Sequence, residues 1–456
     1  MSKAELANDW IAALLDRDSD DVIAVDRGVP FKRAQFNDLV DTWCRVVQQQ
    51  PSGKTWVLYN LDPVEFSAQL LALWFSGKTA CIPGDNLVGT QQRLAPRVSG
   101  ALGDWEEALS FDSAAAEAAC SYQLPAPDDV VIEVYTSGST GEPQAITKTL
   151  AQLTAELKAH AGIWPYRPDE VVVSTVSHQH IYGLLFRILR PLYDGAPFER
   201  RLCHFMEDLQ RVAGEYRAHV LVSSPSHLQR LPESEAFSLL AASCRRIFSS
   251  AAPLAAKASL AVQARLKTDV IEIYGSSETG GIAWRVQDDS GDAPWIPLPG
   301  IQVRASEEGV LELSSGHLPS MDWDTLADRI ECGEGGVFRL RGRADRIVKV
   351  EGKRVSLTAM EAFLEAVPGI DKVRATVLQK GREELGIVLE LTDAGQDDYQ
   401  RQGRQEFING LKRLLSDNFE AVVIPRRWRV VDELPWNRQG KVTQQALQEL
   451  FNDKPE

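Results

Sequence analysis

The chain has 456 residues, with 49 Lys or Arg and 64 Asp or Glu, and carries a net charge of −15. An acidic total disfavours nucleic acid as a partner, because duplex binding depends on basic side chains that face phosphates. The globular composition, with 44% hydrophobic residues, disfavours disorder and coiled coil, and no apolar run reaches the roughly 18 residues of a membrane helix.

The predicted elements of the first part of the chain indicate an α/β fold. Residues 1–20 lack the basic-then-apolar layout of a signal peptide and predict an amphipathic helix. Predicted strands then cover residues 54–60, 79–85, 169–177, 217–225, 244–253 and 269–277, and predicted helices cover 63–78, 181–195 and 256–266. Strands that are apolar on both faces and alternate with helices indicate largely parallel sheets between helical layers.

The character of the sequence changes beyond about residue 285. Residues 301–315 and 335–343 predict antiparallel hairpin strands, and the residues after them predict a compact α+β unit. Residues 343–456 hold 19 basic and 19 acidic side chains, so the whole charge of −15 belongs to residues 1–342. We therefore predict two domains, 1–342 and 343–456.

Two segments at strand ends combine small, hydroxyl and acidic residues. The segment 134–143 holds four hydroxyl residues and two glycines between Thr136 and Gly141, and such a loop can aim N–H groups and hydroxyls at one anion. It is not a Walker A loop, and a solvated Ser/Gly turn fits the composition equally well. The segment 273–281 places Glu278 among small hydroxyl residues, which suits Mg²⁺ with phosphate, although a helix-capping turn at Ser277 is equally compatible.

Two further segments lie at and beyond the charge boundary. Residues 342–355 are rich in basic side chains, and in isolation a charged surface hairpin is the favoured interpretation. Residues 434–442 place Lys441 behind a glycine in a Pro-led turn, where a lysine can reach a developing negative charge. Most lysines near a C-terminus are simply solvated, so this segment alone is a weak signal.

In their order and spacing, the four segments resemble the motifs of the adenylate-forming (ANL) superfamily of acyl- and aryl-CoA synthetases, stand-alone adenylation domains and luciferases. The family motifs read TSG-S/T-TG-x-PK, YG-x-T/S-E, GR-x-D and LP-x-x-x-x-GK. The resemblance spans nearly the whole chain, and the short length is similar to that of compact ligases of aryl-polyene pathways. It implies a large N-terminal domain of layered α/β subdomains plus a β-barrel-like subdomain, with a small α+β C-terminal lid domain.

The resemblance also implies a reaction. ATP activates an aryl or acyl carboxylic acid to an acyl-adenylate, and a thiol of CoA or of carrier-protein phosphopantetheine then forms a thioester and releases AMP. The first step needs Mg²⁺ and a lysine against the charge at the α-phosphate, and the second needs a hinge that removes this lysine. A non-catalytic nucleotide-binding relative and an adenylating enzyme with a non-thiol acceptor remain alternatives.

The family motifs imply a role for individual residues. Lys441 would be the adenylation lysine, Glu278 the Mg²⁺ ligand and Arg343 a contact to ribose or phosphate. Asp345 would be the hinge, and Gly352 would line the thiol tunnel. The implied nucleotide-binding residues are Thr136, Ser137, Gly138, Ser139, Thr140 and Gly141 at the β- and γ-phosphates, Ser277 at the α-phosphate, Ala251, Ala252 and Tyr274 at adenine, and Asp328 at the ribose.

Two positions depart from the family pattern. The lysine that usually follows the proline of the phosphate loop is Gln144 here, and the next lysine along the chain is Lys148. The ribose-binding TGD triplet appears only as residues 325–328, so Asp322 or Asp324 is an alternative to Asp328.

The acyl pocket is expected between the segment around His180 and the strand end at Ser224. By resemblance, His180 occupies the place of an aromatic gate beside the substrate carboxylate, and a capping or core histidine is the alternative. Tyr182, Phe186 and Trp284 would add an apolar, partly aromatic lining. The segment lacks the Asp that amino-acid-activating members carry, which disfavours an amino-acid substrate.

The cysteine pattern and the family resemblance also predict a location and binding partners. The six scattered cysteines form no C-x-x-C pair, which predicts free thiols in a reducing cytoplasm and gives no metal-ligand spacing. The expected partners are a small carboxylic acid, ATP, and CoA or an acyl carrier protein, without nucleic acid and without a membrane span. The sequence leaves open the acid, the acceptor and the oligomeric state.

Overall fold

The computed structural model describes residues 3–50, 53–110, 121–136, 144–231, 237–350, 353–380, 382–416, 418–419, 421–437 and 442–452. These residues divide into two compact units. The first unit contains the described residues of 3–302 together with 314–323, and the second contains the described residues of 303–313 and 324–452. The functional boundary after residue 342 stays a prediction.

The larger sheet of the first unit has nine strands within the described ranges. They are β1 (Val22–Asp26), β2 (Val29–Lys32), β8 (Val171–Ser174), β9 (Phe198–Glu199), β10 (His219–Ser223), β11 (Cys244–Ser249), β12 (Val270–Ser276), β13 (Gly280–Val286) and β14 (Ile296–Pro297), in the order β14-β13-β12-β11-β10-β8-β9-β1-β2. Strands β8, β10, β11 and β12 are parallel, and β13 turns back antiparallel to β12. Both faces of the central strands are covered, so β8 and β10 are buried along their whole length.

A second sheet of the same unit has five described strands. They are β3 (Thr55–Tyr59), β4 (Thr79–Ile82), β5 (Ala101–Gly103), β6 (Val130–Thr136) and β7 (Gln144–Thr149), in the order β5-β3-β4-β6-β7. Four of them are parallel, and β7 pairs antiparallel with β6. The carboxyl end of β6 therefore leads directly into the predicted phosphate loop.

Helices cover both sheets. Those of the first unit are α1 (Lys3–Asp16), α2 (Arg33–Gln48), α3 (Pro63–Phe75), α4 (Val88–Leu94), α5 (Leu150–Ile163), α6 (Ile181–Gly183), α7 (Arg190–Asp194), α8 (Met206–Glu215), α9 (Pro225–Leu228), α10 (Phe237–Ser243) and α11 (Ala256–Leu266). The Asp62 side chain caps α3 by accepting from the N–H groups of Val64 and Glu65, and the helix is buried on nearly every side. A π-helical stretch, Leu184–Leu189, joins α6 to α7 within the predicted helix 181–195.

The second unit is α+β. Its strands are β17 (Asp324–Cys332), β18 (Phe338–Arg343), β19 (Ile347–Val350), β20 (Lys353–Ser356), β21 (Ile370–Lys380), β22 (Arg382–Leu391) and β23 (Arg427–Val431), and its helices are α12 (Leu357–Glu365), α13 (Asp393–Gln402), α14 (Arg404–Ser416) and α15 (Gln444–Glu449). Strands β15 (Ile301–Ala305) and β16 (Val310–Ser315) precede them and complete a four-stranded sheet with β17 and β18. Leu364, Ile387 and Leu411 are among the buried side chains that join α12, α14 and the three-stranded sheet β21-β22-β23.

The structure confirms the α/β prediction. Each strand and helix named in the sequence analysis has a counterpart within a few residues of its expected bounds. Across the described part of the chain, no helix is both long and apolar enough to cross a membrane.

Candidate active site

Glu278 lies in an exposed tight turn between strands β12 and β13. The Ser276 N–H donates to the Thr279 hydroxyl at 3.1 Å, and the Thr279 N–H donates to the Ser276 hydroxyl at 3.2 Å. A Cβ at Gly275 would lie 2.2 Å from the Gly280 carbonyl oxygen, so the close approach of the two strands requires glycine. The hairpin therefore presents one carboxylate to solvent at a rigid point.

Three buried side chains hold this turn from the opposite side. The Lys148 ammonium donates to the carbonyl oxygens of Glu278, at 2.7 Å, and of His317, at 3.0 Å. The Glu156 carboxylate accepts from the Gly281 N–H at 2.6 Å, and the His317 Nδ1–H donates to the Gly281 carbonyl at 3.0 Å. Lys148, Glu156 and His317 are each no more than 2% exposed, so these contacts are shielded from water.

Burial and charge act against each other in this cluster. Burial lowers the pKa of Lys148, while the Glu156 and Glu278 carboxylates act in the opposite direction. Burial alone would raise the pKa of Glu156, but His160, His317 and Lys148 bring the net pKa below its usual value. The carboxylate of Glu156 is therefore ionised at neutral pH and keeps its ability to accept from Gly281.

The Glu278 turn suits a Mg²⁺ ion that arrives with phosphate. Among the described residues, no group of three or more His, Cys, Asp or Glu side chains could hold a metal alone. A single exposed carboxylate fits Mg²⁺, which usually takes one or two protein oxygens and completes its shell with water and phosphate. Strand β13 begins at Gly280, so no helix starts at Ser277 and the helix-capping alternative is wrong.

The predicted adenine residues come together at the end of β12. The Ser250 hydroxyl donates to the Ile273 carbonyl at 2.9 Å, which ties the Ala251–Ala252 turn to the residue before Tyr274. Tyr274 is half-buried, and Ala251 and Ala252 are exposed. Ala251 has φ +76°, a conformation that L residues adopt rarely and that often marks a functional turn.

A buried polar network fixes the segment that contains His180. The Arg187 guanidinium donates to His178 Nδ1 at 3.0 Å, so the other ring nitrogen of His178 carries the proton and donates to the Asn60 carbonyl at 2.7 Å. A Cβ at Gly183 would lie 2.0 Å from the Ser177 carbonyl, which shows how tightly the chain folds back here. His180 is half-buried and precedes α6 in an extended conformation, without a side-chain capping bond.

The structure brings part of the predicted acyl lining together. The Tyr182 hydroxyl donates to the carbonyl of Ser223, the residue before Ser224, at 3.2 Å. Tyr182 contacts Phe186 with ring centroids 5.1 Å apart. A series of rings then leads from Phe186 to the half-buried Trp284 through Phe248 and Trp164, with successive centroids 5.0, 5.5 and 5.1 Å apart. Tyr182 and Phe186 therefore lie in the buried core of the first unit, and Trp284 packs against that core.

Asp328, the predicted ribose residue, and Arg343, the predicted ribose or phosphate contact, lie on paired strands of the second unit. Asp328 of β17 pairs in register with Arg343 of β18, and their charged groups are 3.7 Å apart. Beyond the hinge position, Arg346 donates to the Glu361 carboxylate at 2.6 Å and to the Ala375 carbonyl at 3.1 Å. These bonds anchor the short helical turn Ala344–Arg346 to α12 and β21.

Asp324, an alternative ribose residue, lies at the start of β17 opposite Leu313. Asp322, the other alternative, belongs to the first unit and accepts from the Ser320 hydroxyl at 3.0 Å. The choice among Asp322, Asp324 and Asp328 stays open.

Several predicted site residues lie outside the part of the chain that the structure describes. Ser137, Gly138, Ser139, Thr140, Gly141, Gly352 and Lys441 lie outside the described residues, as do the side chains of Thr136, Gln144 and Asp345. The chain on either side of Lys441 is described: Trp436 and Val442 form an isolated antiparallel bridge, and the Leu434 N–H donates to Glu390 at 3.0 Å. The proposed catalytic lysine thus belongs to a segment whose two ends are joined.

Sequence reasoning missed the side chains beneath the Glu278 turn. Lys148 was noted only as the next lysine after Gln144, and Glu156 and His317 were not singled out. The sequence offered one sign of these residues, because Lys148 lies in a strand and Glu156 in a helix, each at a position that packs inward. Such a signal identifies buried charges but not the backbone that they contact.

Comparison with known proteins identifies the family. The family described as AMP-binding enzyme matches residues 76–313. A 4-coumarate–CoA ligase from Cereibacter sphaeroides is 28% identical over 309 residues, covering 67% of this chain and 69% of that protein. An acetyl-coenzyme A synthetase from Streptomyces avermitilis is 23% identical over 378 residues, covering 70% of this chain and 56% of that protein.

Solved structures agree on the fold. ATP-bound MatB from Rhodopseudomonas palustris superposes with a TM-score of 0.81 at 20% identity, covering 98% of this chain and 99% of that chain. The structural match supports the fold, and the family match extends over more than half of the sequence, including strand β6 and the whole Glu278 hairpin. The chain belongs to the AMP-binding enzyme family.

Proposed function

We propose that this chain is an AMP-forming acid–thiol ligase. It activates a carboxylic acid with ATP to an acyl-adenylate and then transfers the acyl group to a thiol. The observation that carries the proposal is the exposed Glu278 carboxylate on a turn held by Lys148 and Glu156, in a member of the AMP-binding enzyme family. Two relatives are a 4-coumarate–CoA ligase and an acetyl-coenzyme A synthetase, which supports CoA as the acceptor.

In the first step a carboxylate oxygen of the acid forms a bond to the α-phosphorus of ATP. The bond to the bridging oxygen breaks, and its electron pair leaves with pyrophosphate. Glu278 would hold Mg²⁺, which would supply neutralisation of the phosphate charge when bound. Ser277 donates to the α-phosphate, and Lys441 neutralises the negative charge that develops there.

In the second step the thiol sulfur attacks the carbonyl carbon of the adenylate. The carbon–oxygen bond to phosphate breaks, AMP leaves with the electron pair, and the thiol proton passes to solvent. Lys441 must first withdraw, so the second step needs rotation about Asp345 and a path for the thiol beside Gly352. Asp328 and Arg343 hold the nucleotide through its ribose or phosphate during both steps.

The acid is proposed to be an aryl or acyl carboxylic acid. The Tyr182 hydroxyl is already bonded to the Ser223 carbonyl, so Tyr182 offers an aromatic ring rather than a free polar group. Phe186 and Trp284 extend this aromatic character along the ring series. His180 is proposed to lie beside the carboxylate of the acid.

A pyrophosphate-release screen over aromatic and fatty acids, run with and without CoA, tests the proposal. We expect acid-dependent pyrophosphate release and, in the presence of CoA, an acyl-CoA product identified by mass spectrometry. The same screen with phosphopantetheinylated carrier protein distinguishes the two thiol acceptors. Adenylate formation without transfer to either thiol would favour a non-thiol acceptor, and no release with any acid would favour a nucleotide-binding relative.

A further inference from the structure

The backbone of the Glu278 turn depends on donors and acceptors that its own hairpin does not supply. The last paired residues of strands β12 and β13 are Ser276 and Gly280, so the Glu278 carbonyl lies beyond the ladder. Lys148 provides the donor for that carbonyl, and Glu156 provides the acceptor for the Gly281 N–H. The middle of the turn and the second residue of strand β13 are therefore held by one buried cation and one buried anion.

The packing beneath the turn leaves little room for movement. Gly280 has φ +69°, and a Cβ there would lie 2.7 Å from the Glu156 carboxylate, so the turn rests directly on this side chain. The Lys148 ammonium is shared with the His317 carbonyl, which also accepts from the Gln152 side-chain amide at 3.2 Å. Strand β7, helix α5 and the segment containing His317 thus meet at one point.

A buried ammonium and a buried carboxylate are costly to remove from water, and an apolar pair would fill the same space without that cost. Their hydrogen bonds end on the backbone that carries Glu278, within three residues of its carboxylate. Outer contacts of this kind orient a metal ligand, and Mg²⁺ requires near-octahedral geometry. The hydrogen bonds of Lys148 and Glu156 are therefore of the kind that orients a metal-binding carboxylate, here that of Glu278.

We infer that Lys148 and Glu156 are positioning residues that fix the Glu278 turn so that its carboxylate meets the Mg²⁺ bound to ATP. This inference rests on the proposed function, because it takes Mg²⁺–ATP as the ligand of Glu278. Lys148 acts through the Glu278 carbonyl and Glu156 through the Gly281 N–H, and neither side chain touches the nucleotide. Lys148 thereby has a role independent of the phosphate-loop position occupied by Gln144.

Calorimetric titration of ATP, with Mg²⁺ and with EDTA in its place, tests the inference without relying on turnover. The variants are Lys148→Met and Glu156→Leu, with Glu156→Gln as the conservative change that keeps an oxygen acceptor for Gly281. The matched control is Lys78→Met, because Lys78 is also buried and donates to a backbone carbonyl, that of Gly53, at 3.0 Å.

We expect the gain in ATP affinity on adding Mg²⁺ to be about 10- to 100-fold smaller in Lys148→Met and Glu156→Leu than in the unmodified protein. The ATP affinity measured in EDTA should change little. Glu156→Gln should recover most of this Mg²⁺ effect, and Lys78→Met should keep it even if its melting temperature falls. Should Lys148→Met not fold, Glu156→Leu and Glu156→Gln decide the same point.

Two results would overturn the inference in distinguishable ways. An unchanged Mg²⁺ effect in Lys148→Met and Glu156→Leu would restrict these residues to a structural role and leave the proposed function intact. Failure of the unmodified protein to bind ATP under any condition would remove the proposed function together with the inference.

Discussion

The Lys148 ammonium donates a hydrogen bond to the backbone carbonyl of Glu278, 2.7 Å away, although 130 residues separate the two in sequence. The bond joins strand β7, which follows the predicted phosphate loop in the sequence, to the turn that carries the proposed Mg²⁺ ligand. A residue that follows one predicted motif therefore supports the backbone of another. The turn is therefore held by buried charges in addition to the hydrogen bonds between its own residues Ser276 and Thr279.

Glu278→Gln should abolish most of the Mg²⁺-dependent adenylation. The amide keeps the size of the side chain but removes the negative charge, so we expect acid-dependent pyrophosphate release to fall by about 100-fold or more. Asp289→Asn is the control, because Asp289 is another exposed acidic residue of the same unit. Equal loss in both variants would assign the effect to net charge instead of to the Glu278 site.

Lys441→Ala should separate the two half-reactions. The lysine is proposed to act only on charge at the α-phosphate, so adenylation should fall by about 100- to 1,000-fold. Thioester formation from supplied acyl-adenylate and CoA should change little, as measured by the rate of acyl-CoA appearance. A comparable loss in both reactions would contradict the withdrawal of Lys441 before thiol transfer.

Asp345→Pro should give the opposite pattern. Proline fixes φ near −65° and removes the backbone N–H, so rotation at the proposed hinge is restricted. Adenylation should continue, and thioester formation from acyl-adenylate should be blocked. Asp345→Ala, which leaves the backbone free, serves as the control and should retain both half-reactions. A hinge at another residue is indicated if Asp345→Pro transfers the acyl group normally.

Ala251→Gly should stabilise the protein slightly. Relief of the left-handed conformation at φ +76° is worth about 1–2 kcal/mol, and the added freedom of glycine in the unfolded chain costs about 0.5–1 kcal/mol. The net gain should be about 0.5–1 kcal/mol in the free energy of unfolding by urea denaturation. Ala252→Gly is the neighbouring control without a positive φ and should destabilise; the same sign in both variants would refute the strain argument.

His219 should make the protein less stable in mild acid. Burial lowers the pKa of His219 to about 4, and neither ring nitrogen has a hydrogen-bond partner in the described part of the protein. The unfolded chain takes up the proton near pH 6.5, so stability is full above that pH and falls as the pH drops toward 4.

The effect can be isolated with His219→Phe, which removes the titrating group from strand β10. Between pH 7 and pH 5 the unmodified protein should lose about 2 kcal/mol more unfolding free energy than the variant, since only its unfolded state is protonated in this range. Denaturant titrations at both pH values measure the difference. Parallel losses in the two proteins would show that His219 does not titrate as described.

The sequence alone predicts the order of the strands and helices and places the Glu278 motif at the end of a strand. The predicted strands 169–177, 217–225 and 269–277 correspond to β8, β10 and β12, because strands buried on both faces leave a continuous apolar signal. Glu278 was correctly located at a strand end. The sequence could not decide whether a capping turn or a hairpin followed Ser277, since both use the same small polar residues.

Three features of the site were decided only by tertiary structure. The contacts of Lys148 and Glu156 with the Glu278 turn span 130 and 125 residues of sequence, and no local pattern encodes such a meeting. The left-handed conformation of Ala251 likewise depends on the turn that Ser250 ties to strand β12. Local spacing determines which residues form strands, turns and motifs, because it acts through neighbouring residues. Which buried charge supports which backbone group is fixed only when distant elements pack, because hydrogen bonds require atoms within about 3 Å of each other.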